Sequence, residues 1–138
     1  MANKCRLLLL LTLVCGYSPL AWSNQTIVCS EFKGSQISVS GTGVDSVSDG
    51  YSGQTIMLHL SENGEAEVEW SGPNRFKVPI TFAGMSEAEG WAVWVQYHQE
   101  VYRTYTYFMK TRHLALTESQ AQIFTGIPSV KTMLGRCR

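Results

Sequence analysis

The sequence predicts an all-β domain, a small antiparallel β-barrel, with a two-sheet β-sandwich as the alternative. Apolar and polar residues alternate through long runs between Ile56 and Tyr107, the period of a half-buried strand. Turn chemistry separates these runs at Glu62-Asn63-Gly64 and again at Ser71-Gly72-Pro73-Asn74. Two cysteines, Cys29 and Cys137, stand near the ends of the domain, where a disulfide would tie its first strand to its last. Successive hairpins joined in this way close naturally into a barrel, because closure leaves few strand edges unpaired.

The domain is expected to begin after a leader. Asn3-Lys4-Cys5-Arg6 carries two positive charges ahead of the apolar run Leu7 to Cys15, and Gly16, Pro19 and Ala21-Trp22-Ser23 follow. That is the order of a secretory signal peptide, residues 1–23, cleaved after Ser23. The apolar run is far shorter than the roughly 20 residues that span a bilayer, so no stable membrane anchor is expected. Cys15 lacks the small preceding residue of a lipidation site, since Val14 is branched and bulky. Residues 24–138 then form a single exported domain, periplasmic or secreted. Lys4 and Arg6 leave with the leader, so nine basic residues face eleven acidic ones, a net charge of −2. A nucleic-acid partner is not expected from that balance. Cys5 and Cys15 leave as well, and the remaining pair in an oxidising compartment reads as a Cys29–Cys137 disulfide.

The elements follow in chain order. Gly41 to Gly53, rich in glycine and serine, reads as a long loop or two loosely joined short strands. Ile56, Leu58 and Leu60 face one way and Met57, His59 and Ser61 the other. Past Asn63-Gly64, Ala66, Val68 and Trp70 alternate with Glu65, Glu67 and Glu69, which makes a hairpin. Phe76, Val78, Ile80 and Phe82 then share a face. Pro79, on the opposite face, cannot donate to a ladder and places its strand at an edge or a bulge. Gly84 to Gly90 reads as a polar connection. Trp91 to Tyr97 and Tyr102 to Met109 form a further hairpin, and Leu114-Ala115-Leu116 a short strand. Thr117 with Gln120 fits a capping box, and Gly126 with Pro128 a helix stop, so one short helix is expected near residues 118–125, with Phe124 against the core. A last strand, Ser129 to Cys137, returns to the first.

Catalytic chemistry leaves few marks. No Gly-x-Ser-x-Gly elbow occurs. His59, His98 and His113 are far apart, so no metal site is expected. Glu65, Glu67 and Glu69 fall on one solvated strand face, whereas paired catalytic carboxylates flank a cleft. Asp45 and Asp49 in the Gly/Ser segment are a weak signal for calcium. No cofactor is expected.

One constellation stands out. A turn of two or four residues after Tyr97 puts Tyr97 opposite Tyr102. Trp91, Val93, Val95 and Tyr97 then share a face with Tyr102, Thr104, Thr106 and Phe108. Ala92, Trp94 and Gln96 share the other with Arg103, Tyr105 and Tyr107. Both faces are aromatic, more than a one-sided core requires. Trp94, Arg103, Tyr105 and Tyr107 are therefore the candidate binding residues, expected as one contiguous surface of the kind that dominates binding energetics. The alternative is that they line a barrel lumen or stiffen the sheet as cross-strand stacks.

In size and in a disulfide that can join barrel ends, the chain resembles small exported β-barrel inhibitors of lysozyme. The inhibitory loop of that family carries Ser-Gly-x-x-Tyr. Ser71-Gly72-Pro73-Asn74-Arg75 matches its first two positions and has Arg75 where tyrosine belongs, and Ser52-Gly53-Gln54-Thr55-Ile56 departs likewise, so no family is assigned. The expected function is a non-enzymatic binding module that contacts a protein or a small amphipathic ligand in the cell envelope, through an aromatic surface or the barrel interior. The alternatives are an envelope hydrolase using Asp45, Asp49 or a glutamate, an assembly or structural factor whose partner pairs with the Pro79 strand, and a lysozyme-inhibitor-like protein.

Overall fold

The computed structural model of the chain describes residues 23–40, 43–49, 53–73, 75–120 and 128–138. Residues 1–22 of the expected leader, residues 1–23, lie outside them. Among the described residues nine strands form one antiparallel sheet: β1 Gln25–Ser40, β2 Gly43–Asp49, β3 Thr55–Leu60, β4 Ala66–Ser71, β5 Phe76–Ser86, β6 Trp91–His98, β7 Val101–Phe108, β8 His113–Gln120 and β9 Ser129–Cys137. Each of β3 to β8 pairs with the next strand in sequence, and β9 pairs back onto β1. Eight strands thus close a barrel, and the sandwich is excluded. The Cys29–Cys137 disulfide is present and sits in that closing seam, where the two cysteines are register partners.

β2 is the ninth strand. It and β3 run one after the other along the same edge of β1, β2 beside Gly34–Ser40 and β3 beside Gln25–Cys29. Within the segment from Gly41 to Gly53, Gly43–Asp49 is therefore strand β2. Between the two pairings β1 is irregular: its register against β9 shifts between Ser30 and Lys33, and Glu31 takes a left-handed φ of 57°. That bulge changes which residues point inward, from Ile27 and Cys29 to Phe32.

The Phe32 ring needs room, and Gly135 on β9 supplies it. A Cβ at Gly135 would collide with the ring. Ile56, Leu58, Leu60, Val68, Trp94, Tyr105, Leu114, Leu116 and Met133 fill the remaining lumen. These are the inward halves of the alternating strands, so period two in the sequence becomes the barrel core.

Three expectations on the elements are corrected. β5 continues through Ser86, so Gly84–Ser86 are strand and the connection is shorter. The strand around Leu114 runs from His113 to Gln120, and Glu118, Ser119 and Gln120 belong to it. The capping-box signal loses here because Leu114, Leu116 and Glu118 alternate inward while both edges of β8 are paired, to β7 and β9. Residues 121–125 of the expected helix lie outside the described residues.

Of the two expectations for the Pro79 strand, the bulge is met and the edge is corrected, because β5 lies between β4 and β6 in the closed barrel. It pairs with Glu67 of β4, but the pairing of β5 with β6 begins only at Thr81, and a bulge follows between Phe82 and Gly84. A missing N–H costs nothing on a side where no strand is paired.

Candidate functional site

The β6–β7 hairpin has the expected register. Gln99-Glu100 makes a two-residue turn, and Tyr97 pairs with Tyr102, Gln96 with Arg103 and Trp94 with Tyr105. The face carrying Trp94, Arg103, Tyr105 and Tyr107 points into the lumen. Trp94 is 1% exposed and Tyr105 0%, so they form no outer surface, and the expected contiguous contact surface is corrected on that ground. Curvature decides it: in a closed barrel the concave side of every hairpin is the core. Tyr107 packs at the edge of that core, and Arg103 stands higher, toward the mouth.

Registers carried around the barrel order the lumen in layers. Ala92, Tyr107, Leu114 and Gly135 form one row, and Trp94, Tyr105, Leu116 and Met133 the next. The third row, toward the mouth, is polar: Gln96, Arg103, Glu118, Lys131 and Gln36. Glu118, whose side chain is only 9% exposed, accepts from Arg103 Nε at 2.7 Å and lies 3.4 Å from Lys131 Nζ. Across the lumen, Trp70 at the end of β4 stacks on Phe76 at the start of β5, their centroids 5.0 Å apart and planes 25° from parallel. The Arg103 guanidinium carbon lies 5.6 Å from the Trp70 ring centre and 5.2 Å from that of Phe76, within cation–π range.

Beneath this layer a buried hydrogen-bond chain fixes the floor. Trp70 Nε1 donates to Tyr105 Oη at 3.2 Å, and Tyr105 Oη donates to Gln96 Oε1 at 2.8 Å. Burial pushes the Tyr105 hydroxyl well above the ordinary tyrosine range, against the smaller opposing effects of the Trp70 bond and the Arg103 charge.

Above the floor is a cavity of about 410 Å³ lined by Trp70, Pro73, Arg75, Phe76, Arg103, Glu118 and Lys131. Among the described residues its lining has three cations and one carboxylate, in a domain that is otherwise slightly acidic. Of the four binding residues expected from the sequence, Arg103 alone lines it. The sequence signal for Glu118 was its place in the inward alternation after Leu114 and Leu116, and for Trp70 its position closing a strand beside the Gly72-Pro73 turn. Lys131, two residues before Met133 on the inward side of β9, was equally readable.

The outer wall carries other polar groups. Thr26 Oγ1 lies 3.1 Å from His59 Nδ1, and His59 Nε2 lies 3.0 Å from Glu69 Oε2. His59 is thus held between two partners rather than simply solvated. Glu67 pairs with Lys77 at 2.7 Å, and this bond lowers the carboxyl pKa and raises that of the ammonium. Glu67 and Glu69 therefore brace adjacent strands on the convex side, away from the lumen. Among the described residues no three His, Cys, Asp or Glu side chains gather as a metal site requires. The side chains of Asp45 and Asp49 are outside the described residues.

No family model, curated protein or solved structure matches this chain.

Proposed function

We propose that the protein is an exported, non-enzymatic binding module that takes a small amphipathic ligand into the mouth of its barrel. The observation carrying this reading is the cavity of about 410 Å³ above an otherwise filled lumen. Its size falls in the range of small-molecule sites, roughly 300–1,000 Å³, as does that of a depression around Glu65, Pro79 and Ile80, and its two unlike walls set it apart. One wall is the Trp70–Phe76 stack and the other is the Arg103–Glu118–Lys131 cluster, so an apolar body and a polar end each have a counterpart. The buried Trp70–Tyr105–Gln96 chain holds that wall rigid, which limits the ordering cost of binding. The cysteine pair suits an oxidising compartment and supports export.

The test is retention. Purified wild-type protein and a Phe76→Ser variant are incubated with envelope extract and desalted, and small molecules released on denaturation are compared by mass spectrometry. The wild type should retain at least one species that the variant loses. Identical profiles, or none retained by either, would overturn the reading.

A further inference from the structure

We infer that the polar end of the ligand is an oxyanion, a carboxylate, sulfonate or phosphate group on a flat apolar body, and that Arg103 is the residue that grips it. This rests on the cavity reading above and narrows it to a chemical class. Arg103 is positioned as a prepared fork. Its Nε is committed to Glu118 Oε2 at 2.7 Å, and its guanidinium is flanked by the Trp70 and Phe76 rings. The side chain is 16% exposed, little enough to be fixed and enough to reach the cavity it lines.

A guanidinium has five N–H donors, and the Nε bond uses one. Among the described residues no acceptor meets the two Nη groups, and the side chain lines the cavity. Two parallel N–H groups at a fixed spacing match the two oxygens of an oxyanion, and such charge-assisted pairs are about twice as strong as neutral hydrogen bonds.

The sign of the surroundings agrees. Arg75 at the rim and Lys131 beside Glu118 add positive charge, and Glu118 is the one carboxylate among the described residues of the lining. Glu118 is already engaged by Arg103 and Lys131, so it anchors the fork and leaves an incoming cation no unengaged carboxylate in the lining. Phe76 is half-buried and stacked on Trp70, offering a flat edge on which a planar apolar body can lie once its anion meets Arg103.

The experiment uses two fluorescent probes with nearly the same body. Anilinonaphthalene sulfonate carries the oxyanion and N-phenylnaphthylamine does not. Each is titrated into purified, disulfide-bonded protein at low and at high salt. The sulfonate should bind about tenfold tighter or better at low salt, and the advantage should shrink as salt screens it. Arg103→Gln should remove most of that advantage, read as the ratio of the two affinities, so that any loss shared by both probes cancels. Arg103→Lys should recover part of it, because charge returns without the fork. Arg75→Gln, at an exposed position where folding is not at stake, should reduce the advantage by about twofold to threefold.

Equal affinity for the two probes, or a preference unchanged in Arg103→Gln, overturns the oxyanion assignment while the cavity reading stands. If neither probe binds the wild type, both fall. Circular dichroism of each variant establishes that the fold compared is the same.

Discussion

The hydroxyl of Tyr105 accepts from Trp70 and donates to Gln96, and all three groups are buried. Replacing it by Phe leaves the Gln96 oxygen and the indole N–H without that partner, at a cost of about 1–3 kcal/mol near neutral pH. The pH dependence follows from the raised pKa. The folded state holds the phenol neutral while the unfolded chain ionises near the ordinary value of about 10. The stabilising contribution is therefore complete below that pH and is lost as pH climbs above it. In denaturant melts from pH 7 to pH 11, the gap between wild type and Tyr105→Phe should be widest at neutral pH and narrow above pH 10. A gap constant with pH would mean that the hydroxyl titrates as easily folded as unfolded.

At the scale of the element, the β6–β7 turn is tight and chemically unusual. Gln99 and Glu100 have φ of 46° and 64°, both left-handed, as a two-residue hairpin of the I′ type demands. Neither residue favours that region, whereas Asn-Gly does. The double substitution Gln99→Asn, Glu100→Gly should stabilise the protein by about 1 kcal/mol, read as a higher Tm with ligand-probe affinity unchanged. A lower Tm would show that the Glu100 side chain contributes more than its backbone strain costs.

This hairpin also shows what a sequence can report. Its register and the partition of its residues between two faces were legible, since both follow from period two and an even turn. Which face lies inside was not, because both are aromatic and only closure of the barrel makes one concave. The cavity was harder still. Arg103, Glu118 and Lys131 come from three strands and meet Trp70 across the lumen, so no short motif contains them. Glu118 was further concealed by Thr117 and Gln120, whose spacing imitates a helix cap. Strand β1 was the least visible element. Its bulge at Glu31 breaks the alternation, and its upper half, Gly34 to Ser38, has no buried side chain to mark it.

For the molecule as a whole, closure depends on the seam between β1 and β9, and the disulfide lies across it with a sequence separation of 108 between its cysteines. Removing that link enlarges the unfolded ensemble, by about 4–5 kcal/mol as an entropic upper estimate. Reduction should therefore lower Tm clearly in calorimetry while far-ultraviolet circular dichroism at low temperature stays native, because the core cluster and the remaining pairings persist. An unchanged Tm would place the stability of the seam in its strand pairing and packing alone.

The strand directions sort the connections into two ends. The β1–β2, β4–β5, β6–β7 and β8–β9 connections belong to the end with the cavity, while the β3–β4, β5–β6 and β7–β8 turns belong to the other. The start of β1 and the close of β9 belong to that second end too, where the Arg138 N–H bonds the Val28 carbonyl. Whatever is attached ahead of Gln25 or behind Arg138, whether a tag, a fused domain or a solid support, therefore emerges from the base. A chain held by either attachment presents its mouth outward, like a cup fixed by its foot.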